Sequence, residues 1–308
     1  MAVGEPAAGS PPKKRFRVYE MRFFWGSKER AKETSKPKNR YYRQGFRFLM
    51  CVSVLRVHAV SVGIEVRLKL QVNAVLFDMF DTLMIIEKNH AFYSPALRAA
   101  YDFLATNGVS VGFEEFEQAY NLARDALYGE ADSRLEEPHF NVRIADALKR
   151  LGYGCVVSDG LVFGATNAFC EAFMKYVSID ENAERMLREL HGKYKLGIVS
   201  NFAIPECVTK LLQRQGLVDF FDVVVVSGAV NKRKPSVEIF TKALEQMDVS
   251  PEETIFVGDT VDADVQGAKA AGMRTVYVER RPQRDAQRAG PTQTIKSLKE
   301  LPMAIERC

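Results

Sequence analysis

From residue 74 onward the chain alternates short, largely apolar runs with longer stretches in which apolar residues recur every three or four positions. The runs fall at 74–77, 196–199, 223–226, 254–257 and 275–278. An uninterrupted apolar run of this length suits a strand covered on both faces, and helical stretches between such strands imply parallel βαβ units. The pattern predicts an α/β fold built on a Rossmann-like parallel sheet. Helix starts are read from residues able to cap free amide groups: Ser178 with Glu181, Ser250 with Glu253 and Pro251, and Ser94 before Pro95.

More than 100 residues separate the first two runs, far beyond an ordinary crossover. Within them Phe113, Phe116, Tyr120, Ala123 and Leu127 share one helical face, and similar stripes run near 95–106, 140–151 and 161–176. The reading is an inserted helical cap over residues 87–180, set into an α/β core of residues 64–86 and 181–308. Residues 64–73 alternate strictly between apolar and polar, which predicts an additional edge strand. Residues 48–63 are apolar enough to suggest a membrane span, but Arg56 and His58 interrupt them, so no span is expected.

Composition narrows the class without changing the fold. With 308 residues, 47% hydrophobic and 27% charged, the chain is of globular type, which excludes fibrous, membrane-bundle and wholly disordered classes. Charge divides it unevenly. Residues 1–72 hold 16 Lys and Arg against 5 Glu, whereas the remainder holds 27 against 34 acids. Residues 1–63 therefore read as a basic, flexible N-terminal extension, dispensable for the fold; nucleic-acid contacts or targeting would come only through it. Cys51, Cys155, Cys170, Cys207 and Cys308 lie far apart, which points to a reducing, cytoplasmic setting, and His58, His90, His139 and His191 show no metal-ligand spacing.

Ligands of open parallel sheets bind at the carboxyl ends of the strands. The polar residues there are Asp78 in VLFDMFDTL, Ser200 and Asn201 in LGIVSNF, and Asp259, Asp262 and Asp264 in IFVGDTVDAD, with Lys234 in NKRKPSVEIF ahead of the fourth run. Together they would form an acidic pocket with one lysine and one hydroxyl. An Asp carboxylate can attack phosphorus and divide one difficult displacement into two easier ones. Against it stands charge: a carboxylate and a phosphate oxygen about 4 Å apart repel by roughly 4 kcal/mol at an effective dielectric of 20. A cation between them is required, and Mg²⁺ with few protein carboxylates fits.

These motifs, in this order and over roughly residues 73–302, resemble the haloacid dehalogenase (HAD) superfamily of hydrolases with a helical cap inserted after the first motif. The resemblance implies Asp78 as nucleophile, and Mg²⁺ held by Asp78, Asp259 and the carbonyl of Phe80. It implies Lys234 as a second cation, with Ser200 and the amide of Asn201 donating to phosphoryl oxygens. Thr82 either donates to the first-motif loop or is an ordinary turn residue. Asp264 would orient Lys234 or hold a metal-bound water; Asp262 would cap the helix after it or approach the metal. Gly258 would permit close backbone approach, and Gly272 would stop a helix.

One position departs from the family pattern. Where phosphatases of this family usually carry a second Asp as general acid, this chain has Phe80, and Asp81 follows one residue later, either as a displaced acid or as a loop brace. The leading expectation is a cytoplasmic, Mg²⁺-dependent phosphatase of a small phosphorylated metabolite, working through an aspartyl-phosphate. The alternatives are a 2-haloacid-dehalogenase-like hydrolase, and a weakly catalytic relative whose basic arm binds nucleic acid or a partner. Tyr93, Arg124 and Arg143 are the cap groups that could reach a substrate.

Overall fold

A computed structural model describes residues 71–87, 91–281, 283 and 285–308. The basic extension, the alternating stretch as far as residue 70, and His58 and His90 lie outside the described residues. Residues 71–73, its last three, are not in a strand.

Six described strands form one parallel sheet in the order β5-β4-β1-β6-β7-β8: β1 (Ala74–Phe77), β4 (Lys195–Ser200), β5 (Val223–Val226), β6 (Thr254–Gly258), β7 (Arg274–Val278) and β8 (Gln293–Ile295). The five apolar runs all became strands for the reason they were legible: both faces are covered. In β1 the pleat sends Val75 and Phe77 into one core layer and Ala74 and Leu76 into the other. The first layer is closed by α5 (Ala183–Leu190), α6 (Pro205–Arg214) and α11 (Leu301–Arg307). The second is closed chiefly by α8 (Val237–Met247), through Ile239, Phe240, Ala243, Leu244 and Met247. Short helices α7 (Ser227–Val230), α9 (Gly267–Ala270) and α10 (Ala286–Ala289) complete the connections. Gly272, at φ +87°, ends the α9 segment in a left-handed conformation, as expected of a helix stop.

The chain leaves β1 toward β4 and leaves β6 toward β7, so the crevice where connections diverge lies between β1 and β6. That is where a doubly wound sheet binds its ligand.

Between β1 and β4 the chain forms a helical insertion of α1 (Tyr93–Thr106), α2 (Phe113–Ala131), α3 (Phe140–Arg150) and α4 (Gly160–Phe173), with α1 packed on α4 and α2 on α3. The α2 stripe is buried at Phe116, Tyr120 and Ala123 and half-buried at Phe113 and Leu127. Each fully buried large side chain of this kind contributes roughly 1.5–3 kcal/mol.

Both crossings pass through an antiparallel pair that the sequence did not announce, β2 (Met84–Ile86) with β3 (Val177–Ile179). This pairing overturns the expected Ser178–Glu181 capping box. Ser178 lies in β3 opposite Ile85, α5 begins only at Ala183, and Asp180 Oδ1 accepts the Asn182 amide at 2.8 Å instead. Ser94 likewise sits inside the first turn of α1, not ahead of it. Ser250 does donate to Glu253 Oε2 at 2.9 Å, but the element is a single 3₁₀ turn running straight into β6.

Candidate active site

The site is built from strand ends. Asp78 follows β1 directly, its amide donating to the Val257 carbonyl of β6 at 2.8 Å, and its carboxylate is buried. Lys234, only 3% exposed, reaches across from the segment before α8 and places Nζ 2.6 Å from Asp78 Oδ1 and 2.7 Å from Asp264 Oδ1. The first contact is an aligned hydrogen bond; the second is an ion pair without that alignment. Asp259 follows β6, and carboxylate oxygens of Asp78, Asp259 and Asp264 lie within 4.8 Å of one another.

Local backbone explains how three acids share so small a space. After β6 the chain enters a π-helical turn, Val261–Gln266, which brings Asp264 back toward the strand end. There its Oδ2 accepts the Thr260 amide at 2.9 Å. A Cβ on Gly258 would lie 2.4 Å from the Asp264 carboxylate, so only glycine admits this approach. Asp262 is exposed and does not occupy the N-cap position, which falls to Thr260, whose carbonyl accepts the Asp264 and Val265 amides at 2.9 and 3.2 Å. Gln283 ties the turn down, donating to the Asp259 carbonyl at 2.8 Å and accepting the Val261 amide at 3.0 Å.

One lysine among three acids leaves a surplus of negative charge. Burial raises Asp78 to about 6, with Lys234 opposing and Asp264 adding to the rise. Burial, followed by Asp78, Asp264 and Asp81, raises Asp259 to about 7. Burial works to lower Lys234, but Asp264 and Asp78 together carry it above its ordinary value, so it stays protonated. Three hard oxygen donors with unbalanced negative charge suit a small divalent cation.

Ser200 is fully buried, and its hydroxyl has no hydrogen-bond partner among the described residues, as a group kept for a ligand oxygen would be. The side chain of Asn201 does something the sequence did not indicate. Its Oδ1 accepts the Lys234 amide at 2.8 Å and its Nδ2 donates to the Lys234 carbonyl at 3.0 Å, clamping the backbone that carries the lysine. Thr82 Oγ1 lies 3.5 Å from Asp259 Oδ1, at the limit of a hydrogen bond, and so faces the opposite strand end.

Phe80 packs its ring against Phe202 at 5.0 Å and Phe173 at 5.5 Å, and Phe92 stands 4.6 Å from Phe173. An aromatic wall spanning core and insertion thus occupies the position beside the nucleophile turn. Asp81 takes a left-handed conformation, φ 59°, and its Oδ1 accepts the Ile86 amide at 3.1 Å. Tyr93 bonds Tyr120 at 2.6 Å; Arg143 is buried against Glu137 at 3.1 Å and donates to Tyr128; Arg124 pairs with Asp125. These bonds engage all three within the insertion. His139 caps α3 through Asn141 and His191 packs on Phe220, both structural contacts.

Arg280, which the sequence reading does not single out, donates from Nε to the Asp81 carbonyl at 3.0 Å and from a terminal nitrogen to the Thr82 carbonyl at 2.7 Å. Inspecting the polar residues after each apolar run, taken as far as the fifth, would have found it two residues beyond β7.

A family model for haloacid dehalogenase-like hydrolases matches residues 72–272. The chain is 31% identical to the glyceraldehyde 3-phosphate phosphatase of Methanopyrus kandleri over 68% of its own length and 84% of the relative's. Among solved structures it is similar to the 2-haloacid dehalogenase of Pseudomonas syringae pv. Tomato DC3000, at 26% identity and TM-score 0.58, over 77% of this chain and 99% of that one. A HAD phosphatase of Thermococcus onnurineus gives 26% identity and TM-score 0.52 over 75% and 96%. No helix among the described residues is long and apolar enough to cross a membrane. Because the family match begins just before β1 and runs past Asp264, taking in every acid of the crevice and its lysine, this chain belongs to the haloacid dehalogenase-like hydrolases.

Proposed function

We propose that the chain is a Mg²⁺-dependent phosphatase of small phosphorylated metabolites, acting through an aspartyl-phosphate on Asp78. The observation that carries this reading is the buried Asp78 at a strand end, 2.6 Å from Lys234 and grouped with Asp259 and Asp264. A dehalogenase-like displacement at carbon needs no such concentration of acids. The phosphatase named from Methanopyrus kandleri supports the same choice.

Asp78, Asp259 and the Phe80 carbonyl would hold the cation, and the donor chemistry fits because all are hard oxygens. Bound there, Mg²⁺ would offset the repulsion between carboxylate and phosphate. Lys234 steadies Asp78 in its ionised form and adds positive charge beside the phosphoryl oxygens. A carboxylate oxygen of Asp78 attacks phosphorus as the bond to the leaving oxygen breaks, giving the acyl phosphate and the leaving group as its anion, which takes a proton from solvent. Ser200 Oγ and the Asn201 amide donate to the phosphoryl oxygens as charge redistributes. Water then attacks phosphorus, releasing phosphate and restoring the Asp78 carboxylate.

Phe80 carries no proton, and the Asp81 carboxylate braces the turn through Ile86. The leaving group thus departs without a strong acid, which favours aryl phosphates, acyl phosphates and pyrophosphates over alkyl phosphates. The aromatic wall of Phe80, Phe173 and Phe202 also supports a second reading, displacement of halide from a 2-haloacid, in keeping with the named Pseudomonas relative. A panel of phosphate monoesters and 2-haloacids, assayed with Mg²⁺ and with chelator, separates the two. Phosphate release should require Mg²⁺ and fall at least about 10³-fold in Asp78→Asn. Undiminished turnover in that variant would overturn both readings.

A further inference from the structure

We infer that Arg280 is a positioning residue that holds the turn behind the nucleophile in its working shape, through the connection returning from the helical insertion. This inference rests on the proposed metal site. The turn needs holding. Asp81 is a non-glycine residue at φ 59°, a conformation that persists only where its surroundings impose it. Within the turn, the Leu83 and Met84 amides both donate to the Met79 carbonyl at 2.9 Å and the Asp81 amide donates to the Met84 carbonyl at 2.6 Å. Those bonds close the loop on itself but do not tie it to the sheet.

Arg280 makes that tie. Its Nε donates to the Asp81 carbonyl at 3.0 Å and its terminal nitrogen to the Thr82 carbonyl at 2.7 Å, while the same nitrogen pairs with Asp180 Oδ2 at 2.8 Å. Asp180 is itself fixed, its amide donating to the Leu83 carbonyl at 3.0 Å and its Oδ1 accepting from Asn182. One guanidinium thus joins the outgoing crossing at residues 81 and 82, the returning crossing at Asp180, and the end of β7. Only a planar fork of donors meets two successive carbonyls and a carboxylate in this way; an ammonium presents a single point. The residues so held adjoin Phe80, whose carbonyl is the proposed ligand, and include Thr82, which faces Asp259. Arg280 touches neither phosphate nor metal in this scheme; it sets the direction of groups that do.

The test uses the full chain and the variants Arg280→Gln, Arg280→Lys and Asp180→Asn. Calorimetry with Mg²⁺ alone should show affinity about 10- to 100-fold weaker in Arg280→Gln, the range typical of residues that orient ligands. Arg280→Lys should keep the charge yet recover only part of the loss. Combining Asp180→Asn with Arg280→Lys should weaken binding less than the two single effects multiplied, since the two side chains act as one unit. Amide hydrogen exchange supplies a readout independent of metal: protection of the 81–86 amides should fall about tenfold in Arg280→Gln while β7 keeps its protection. Should Arg280→Gln fail to fold, Arg280→Lys and Asp180→Asn must show the same pattern in smaller measure. Wild-type exchange in the 81–86 turn of those variants, or single effects that multiply fully, would overturn the inference whether or not Mg²⁺ binds. If instead the wild-type chain takes up no Mg²⁺ but the turn loosens in Arg280→Gln, the metal site fails and the positioning role stands.

Discussion

The two loops that flank the crevice are each clamped by a residue from beyond β7, Gln283 on one and Arg280 on the other, but they differ in what they present to it. The loop after β6 folds Asp264 back onto the Thr260 amide, where Gly258 makes room for it, and takes one clamp from outside, Gln283 on Asp259 and Val261. The loop after β1 turns through a left-handed residue, closes on itself at the Met79 carbonyl, and is tied down from outside by Arg280 on its carbonyls and by Phe173 and Phe202 on the ring of Phe80. The first loop carries Asp259, Asp262 and Asp264, and the second carries Asp78 and Asp81 together with the apolar ring of Phe80. The proposed function places cation binding among the carboxylates of Asp78, Asp259 and Asp264, to which both loops contribute, and selection of the leaving group on the aromatic side at Phe80, whose partners come partly from the insertion.

The most disruptive way to break this division is to remove the cation that the acids surround. Lys234→Met should lower turnover about 10²- to 10³-fold. It should also destabilise the metal-free protein by about 3–5 kcal/mol, because buried carboxylates lose their partner. Denaturant unfolding beside steady-state kinetics checks both.

A smaller effect sharpens the acidic side alone. Asp78 and Asp259 titrate near 6 and 7 in the folded protein, above their ordinary values near 3.8. Folded-state values raised in this direction mean that the folded protein binds more protons than the unfolded chain. Their contribution is therefore full below about pH 4 and is lost as pH rises through 6 to 7. Metal-free stability should fall by on the order of 2–4 kcal/mol across that window, and Asp259→Asn should flatten the fall. Unfolding curves measured in chelator from pH 4 to 8 decide it; a pH-independent difference between the two proteins would contradict the assignment.

On the aromatic side, Phe80→Asp should raise alkyl-phosphate turnover by up to about 10²-fold while changing aryl-phosphate turnover little. A Brønsted series over leaving-group pKa would register this as a shallower slope. Asn201→Ala should have a milder effect. Two hydrogen bonds to the Lys234 backbone, each worth about 1 kcal/mol, set the lysine's place, so kcat should drop roughly tenfold and the melting temperature by about 4–8 °C.

What could be read in advance follows the same physics. The apolar runs were legible because strands buried on both faces hold few polar residues and no charge in their interior, and Asp78 and Asp259 stand out as the first charges after them. β2, β3 and β8 have three residues each, too few to display a period. Ser178 carried a capping signal that strand pairing overrode, since Met84–Ile86 claimed the backbone of Val177–Ile179. The Asn201 clamp was hidden because a polar residue at a strand end can use its amide or its side chain, and spacing does not distinguish them. Phe173 and Phe202 meet Phe80 only through tertiary packing, so sequence revealed the missing acid but not the wall in its place.

The central claim is covalent phosphorylation of Asp78, and an acid quench during turnover of an aryl phosphate tests it most directly. Peptide mass spectrometry should then find about 80 Da added to the peptide bearing Asp78, labile to hydroxylamine as an acyl phosphate is and absent from Asp78→Asn. Vigorous Mg²⁺-dependent hydrolysis with no modified peptide at any quench time, or modification at a different residue, would contradict the account.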